Sequence, residues 1–256
     1  MLLASWSGSF GADWQATLSK EPAVNFPELR PLRASYRFGW SGVTAATGEI
    51  HFSKPSNDRF ELGGTGHTMG FVRALWKLDV SYQAIASAET LRPIETQQIE
   101  NYRSKKIVTH LTFTNNGVTR ARTEGKGAAE SKTRQFNFPN LFDLFSAMLY
   151  LRSQPLKERT IYRVVAYPAT NAYLATVTVV GREKISVHAG SYGAIKLDLR
   201  LKRIGKQRQL EPHRKFRGAT IWVSDDPERL LLRTEAQIFV GTVFAELQSV
   251  SFDNPK

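Results

Sequence analysis

Apolar and polar residues alternate with a period of two along most of this chain. That is the pattern of strands that press one face on a core and turn the other to water. Tyr36, Phe38 and Trp40 share one strand face, with Arg37 and Gly39 between them. Ser41-Gly42 reads as a turn or bulge, 47–52 as the next strand, 54–58 as a turn cluster and 60–65 as a third strand. Residues 66–70 read as a loop and 71–75 as one helical turn. Trp76, Leu78, Val80 and Tyr82 then share a face of a fourth strand. Strands are expected over 93–100 and 106–113, and the turn signal Asn115-Asn116-Gly117 folds the chain back into 118–123. Residues 125–134, small, polar and charged, read as a flexible linker or a long hairpin tip. A second β block covers 160–165, 172–180, 184–188, 192–204, 216–224, 230–238 and 240–250. In its most legible strand Ile195, Leu197, Leu199 and Leu201 point one way, and Lys196, Asp198, Arg200 and Lys202 the other.

The period of two gives way to a long helical pattern at one place, residues 138–152. Pro139 and Asn140 open a helix there, Asn140 capping first-turn N–H groups and Asp143 reaching back in a weaker capping box. Leu141, Leu144, Phe145, Met148 and Leu151 or Arg152 follow at i, i+3, i+4, i+7 spacing. Phe142, Leu149 and Tyr150 lie off that stripe, so the helix needs cover on more than one side. Arg152 suits the negative end of the helix dipole, and Pro155 stops the helix after roughly 20 Å. It is either a core helix plugging a curved sheet or a lid over an apolar cavity. Two β blocks flanking one helix, without β-α-β alternation, predict a mainly β, largely antiparallel architecture.

Composition changes the picture in three ways. The 256 residues, 41% hydrophobic, suffice for one large β domain, and no apolar run approaches a membrane-spanning helix. Residues 1–12 read as a partial signal-peptide-like segment, an apolar piece and then small residues but no basic start. Residues 13–33 read as an extended lead-in, and 34–250 as a single β-rich domain. Either the true start lies upstream or the segment was trimmed, and the protein is expected to be exported. The absence of cysteine excludes disulfides, thiolate metal sites and cysteine nucleophiles. The net charge of +12 is clustered: 101–134 contribute +6 and 196–217 contribute +7, leaving −1 for the rest. Such clusters attract anionic partners or are the solvated face of a sheet.

Little reaction chemistry is legible. The glycine-rich run 63–70 fits neither dinucleotide-binding nor Walker spacing, no long helix follows it, and it reads as a flexible turn. The five histidines show no paired ligand spacing: His51, His110 and His188 are placed in strands, His67 and His213 in loops. No G-x-S-x-G elbow occurs, and Asp225-Asp226 before a proline reads as turn chemistry rather than an acid/base pair. A basic protein invites a nucleic-acid reading, but the basic residues of 196–208 alternate with aliphatics and lack interleaved aromatics. No catalytic residue, cofactor or metal ligand is assigned. Candidates to line an apolar ligand site are Tyr36, Phe38, Trp40, Trp76, Tyr82, Phe142 and Phe145, which equally suit a dry core. Lys196, Arg200, Lys202, Lys206 and Arg208 are candidates to meet an anionic surface.

Four stretches together resemble a family. They are YRFGWSGVTAATGEI at 36–50, DLFSAMLYLR at 143–152, AGSYGAIK at 189–196 and IWVSDDPER at 221–229. In order and spacing they are similar to the exported bacterial proteins of the domain of unknown function 3108 family, over roughly 33–250. The resemblance implies an envelope location and a curved, half-open barrel-like sheet with a central helix in its concave side. That architecture is analogous to lipid- and lipoprotein-carrying periplasmic proteins, and it supplies no catalytic residues. The expected function is non-enzymatic binding of an apolar or amphiphilic ligand such as a lipid or glycolipid, with a basic face meeting its headgroup or a membrane surface. The alternative is a structural or assembly factor for another envelope protein or an anionic glycan surface.

Overall fold

A computed structural model describes residues 14–20, 30–125, 131–213, 215–238 and 241–253; the signal-like segment 1–12 lies outside them. The strands are β1 (Leu32–Trp40), β2 (Val43–Ser56), β3 (Arg59–Thr68), β4 (Leu78–Ser87), β5 (Pro93–Tyr102), β6 (Lys106–Thr114), β7 (Gly117–Gly125) and β8 (Lys132–Asn137). After the helix come β9 (Ile161–Ala166), β10 (Tyr173–Val187), β11 (Gly190–Ile204), β12 (Leu210–Pro212), β13 (Phe216–Ser224), β14 (Leu231–Ile238) and β15 (Gly241–Phe252). All named pairs are antiparallel, in one sheet ordered β8-β7-β6-β5-β4-β3-β2-β1-β15-β14-β13-β11-β10-β9, with β12 on β11. The first strand therefore sits mid-sheet. The chain meanders out to β8, crosses through the helix to β9 at the far edge, and meanders back to β1.

This is the strand order of an up-and-down barrel left open between β8 and β9. Side chains occupy that seam. Phe136 of β8 stacks on Tyr167, just past β9, at 5.7 Å, and Phe138 stacks on Trp14 at 5.7 Å. Trp14 belongs to a 3-10 turn, Trp14–Thr17, and its Nε1 donates to the Arg208 carbonyl. Ser19 donates its N–H to the Arg163 carbonyl and accepts from the Arg163 N–H, covering part of the β9 edge. The expected lead-in thus contains a local element, and β1 begins inside it at Leu32.

Local chemistry sets the turns. Ser41 and Gly42 both adopt positive φ, as a two-residue hairpin loop requires. Asp226 accepts from Ser224 Oγ and from the N–H groups of Glu228 and Arg229, so the acidic pair is turn chemistry. Two expected strands, 172–180 and 184–188, are one continuous β10, which places His188 in the turn that follows, and His67 lies in β3 rather than a loop. Residues 132–137, within and beyond the expected linker, form β8.

The helices are α1 (Gly70–Leu75), matching the expected helical turn, and α2 (Leu144–Ser153). α2 starts later than the sequence pattern suggests. Phe142 is held extended: its N–H donates to the Val165 carbonyl and its own carbonyl accepts from the Tyr167 N–H. Asn140 sits in the preceding turn at φ 58 and caps nothing in α2. Asp143 is the cap instead. Its Oδ1 accepts from the Ser146 N–H at 2.6 Å, and Ser146 Oγ accepts from the Asp143 N–H at 3.0 Å. The buried face is Phe145, Ser146, Leu149, Tyr150 and Ser153, while Leu144 and Met148 are 54% and 45% exposed. The expected stripe is therefore rotated by one position, about 100°.

α2 plugs the concave side of the sheet. Phe145 and Leu149 pack among Phe52, Phe60, Ala84, Leu232 and Leu247 in one core cluster. Phe142 and Tyr150 pack against Val164, Val177, Val179, Ile195 and Leu197 in a second. Each such side chain contributes roughly 1.5–3 kcal/mol through burial. Arg152 ties the last turn down, donating to the Pro227 carbonyl and pairing with Glu228 at 3.5 Å.

Candidate functional site

The inner rungs between β2 and β3 shrink along the strands: Phe52 opposite Leu62, Ile50 opposite Gly64, Gly48 opposite Gly66 and Ala46 opposite Thr68. On β4 the next partners are Ala84, Tyr82 and Val80. α2 fills the sheet at the level of Phe52 and Phe60. Beyond it, glycine leaves the concave face low, and a groove of about 450 Å³ results. Glycine inside a strand weakens it and marks places where something approaches the backbone. The walls are almost wholly apolar, formed by Tyr36, Phe38, Ile50, Leu62, Leu78, Val80 and the Tyr82 ring. The lining runs from Tyr36 and Tyr82 up to Phe38, Thr68 and Leu78, next to α1.

Polar groups cluster below the groove. Asp143 is fully buried, and its Oδ2 accepts a hydrogen bond from Thr96 Oγ1 at 2.5 Å. Burial pushes its carboxyl above the usual range, while hydrogen bonds from Ser146 and Thr96 pull the other way. The Tyr82 hydroxyl is buried beside this pair without a hydrogen bond of ordinary geometry; burial first, and then the Asp143 charge, raise its pKa. Tyr36 donates to the Leu231 carbonyl at 2.9 Å, which fixes its ring as a groove wall.

The seven candidate lining residues separate into three groups. Tyr36, Phe38 and Tyr82 line the groove. Trp40 and Trp76 stand half-exposed at the rim, Trp76 stacked on Tyr102 at 6.4 Å. Phe142 and Phe145 do not line it. The Asp143 cap turns Phe145 towards Phe52, and the bridge to β9 turns Phe142 onto Tyr150, so both are dry core. Gly64 and Gly66 escape the sequence pattern because the run 63–70 reads as a flexible turn, and Gly48 because a glycine inside the strand 47–52 shows no inward side chain. Their alternate spacing on neighbouring strands was the available signal.

Lys196, Arg200 and Lys202 lie on the face of β11 opposite the buried Ile195 and Leu197. Lys196 pairs with Glu183 at 3.3 Å and lies over Trp222, and Arg200 pairs with Asp198 at 2.9 Å. Lys206 is exposed in the turn after β11, and Arg208 turns away, its guanidinium over the Phe138 ring. None of the five lines the groove. On the other face of β2–β6 a polar depression of about 430 Å³ is lined by His51, Glu61, Gln83, Glu95, Gln97 and His110 among others. Its histidines pair with carboxylates, His110 with Glu95 at 3.4 Å and His51 with Asp253 at 3.6 Å. Among the described residues no three His, Asp or Glu side chains are placed to hold a metal ion, and no helix is long and apolar enough to cross a membrane.

The fold has solved counterparts. A β-barrel-like protein of the domain of unknown function DUF1849 from Brucella abortus superposes with a TM-score of 0.63 at 9% identity, covering 89% of this chain and 99% of that one. A lipoprotein candidate from Parabacteroides distasonis is similar with a TM-score of 0.36 at 9% identity, covering 91% and 100% of the two chains. An exported-protein candidate from Bacteroides fragilis gives 0.33 at 8% identity, covering 88% and 98%. Only the first likeness is strong enough to speak for the fold, and at that identity it speaks for nothing else. No curated protein matches the sequence. The family described as Protein of unknown function (DUF3108) matches residues 35–248, nearly the whole sheet, and the chain belongs to that family.

Proposed function

We propose that this protein is a non-enzymatic, exported envelope protein that binds the apolar part of an amphiphilic ligand, such as a lipid or glycolipid, in the groove between β1 and β4. The observation that carries the reading is the row of inner glycines, Gly48, Gly64 and Gly66, below apolar walls. Its volume of about 450 Å³ lies within the range of small-molecule sites, which are concave and mostly apolar. A sheet face meant only for a dry core would carry Val, Ile or Leu at those positions, as β10 and β11 do. Tyr36 and Tyr82 give the groove rigid walls, and Phe38 closes its upper side.

Native mass spectrometry of protein purified without detergent, followed by organic extraction, tests this directly. A stoichiometric lipid or glycolipid mass is the expected result. Protein at its bare mass, still bare after incubation with envelope lipids, overturns the reading.

A further inference from the structure

Several large apolar side chains stand exposed at one end of the sheet. Phe71 and Leu75 of α1 are 78% and 70% exposed, Val43 is 66% exposed, and Trp40 and Trp76 are about half-exposed. They are neighbours. The Met69 N–H donates to the Ala45 carbonyl, which sets α1 beside the β1–β2 turn, and Trp76 stacks on Tyr102 at the end of β5. A contiguous apolar patch on a folded surface marks something it meets.

The patch is also held in place. A helix of six residues has no stability of its own, and α1 buries none of its residues. Its connections keep it there instead. Arg73 makes two hydrogen bonds to Asp79, at 2.7 and 3.2 Å, and a third to the Thr68 carbonyl. Thr68 Oγ1 donates to the Trp76 carbonyl at 3.0 Å and accepts from the Leu78 N–H at 3.1 Å. Arg103 donates to the Ala74 carbonyl at 2.7 Å. Every one of these contacts uses backbone or the two arginines, and they leave Phe71 and Leu75 pointing to solvent.

Charge identifies the occupant. The rim segments 38–47, 69–79 and 100–106 carry five basic residues, Arg73, Lys77, Arg103, Lys105 and Lys106, against two acidic ones, Asp79 and Glu100. Apolar side chains with tryptophan, ringed by lysine and arginine, are the composition of surfaces that lie in the headgroup layer of a bilayer. We propose that this rim docks on a phospholipid bilayer containing anionic headgroups, with Phe71 and Leu75 inserted. It extends the carrier reading, because the groove runs up to Phe38 and Leu78 beside the rim, so a docked protein would face the bilayer with the groove's upper end.

Co-sedimentation of the full chain with vesicles of phosphatidylcholine and phosphatidylglycerol tests it. The parent should sediment, less so as salt rises. Phe71→Ser with Leu75→Ser, both exposed and so compatible with folding, should weaken binding about tenfold or more. Lys77→Glu with Lys106→Glu should weaken it on anionic vesicles and leave the small residual binding to phosphatidylcholine unchanged. A parent that stays in the supernatant, or a Phe71/Leu75 variant that sediments as well as the parent, overturns the proposal. So does a rim variant that loses a protein partner while its vesicle binding is intact. The two readings fail separately: vesicle binding needs no bound ligand, and a bare mass in the extraction experiment leaves the docking result untouched.

Discussion

One edge of the sheet and its middle are built alike and filled differently. On β9, β10 and β11 the inward positions are Val164, Val177, Val179, Ile195 and Leu197, and together with Phe142 and Tyr150 they close into dry core. On β2 and β3, past the reach of α2, the inward positions are Gly48, Gly64 and Gly66, and the same concave face becomes a groove. Antiparallel pairing is shared. Where α2 does not reach, the size of the inward side chain decides whether the concave face fills or leaves room. Concave shape supplies the opportunity for a site, and glycine at alternate positions realises it.

The largest effect should follow from removing the plug that both regions share. Phe145→Ala takes a ring from between Phe52 and the helix and should lower stability by about 3–5 kcal/mol, read as a shift in urea midpoint. Met148→Ala, one turn along on the exposed face, should cost a small fraction of that. Equal costs would mean that α2 lies in the register its sequence stripe suggests rather than the one set by Asp143.

Asp143 comes next. Asp143→Ala removes the α2 cap and the acceptor for Thr96, and should cost about 1–3 kcal/mol. Asp143→Asn keeps an acceptor for the Ser146 N–H and should cost less. The two variants also differ from the parent in pH dependence. Burial raises the Asp143 pKa in the folded state, so the folded protein binds that proton more tightly than the unfolded chain. This contribution to stability is fully present below the ordinary Asp value, about 4, and is lost as pH rises through the folded value. The parent should therefore lose stability over that rise relative to Asp143→Asn, and parallel stability–pH curves would contradict the assignment.

The groove itself can be closed. A Cβ at Gly64 would meet the Glu49 carbonyl, Ile50 and Tyr82 at 3.6–3.9 Å, ordinary contact distances. Gly64→Val should therefore fold, gain up to about 0.5–1 kcal/mol from reduced chain entropy and better strand propensity, and lose the extractable ligand. Vesicle binding through the rim should stay. Gly48→Val is the contrast, since its Cβ would lie 2.7 Å from the Thr65 carbonyl and 3.1 Å from the Phe38 ring, and it should destabilise. Ligand retained in a folded Gly64→Val protein would sink the groove as the binding site.

The sheet was largely legible in the sequence because period-two alternation is strong wherever one face is buried, as in β11. What was not legible has local causes. The start of α2 depends on Phe142 pairing with β9, a contact between segments far apart in sequence, and no pattern inside 138–152 reveals it. Tyr36, Phe38 and Tyr82 could be named as lining because aromatics on inward strand positions are conspicuous. Phe142 and Phe145 could not be separated from them, since apolar character is the same in a core and in a groove. The glycines that make the difference carry no side chain, and hydrophobic patterning cannot see them.

The smallest expected effect concerns the opposite face. Arg200 pairs with Asp198 on the water side of β11, with both side chains substantially exposed. Exposed ion pairs of this kind contribute little, so Arg200→Ala should leave stability within about 0.5 kcal/mol of the parent. Lys202→Ala should do the same, because Lys202 lies on that same exposed face. The informative readout is the ligand. If the groove between β1 and β4 holds it, both variants should carry the same extractable mass at the same stoichiometry as the parent. Loss of ligand from either one, with the fold intact, would move the binding site from the glycine-floored concave face to the basic outer face of β11.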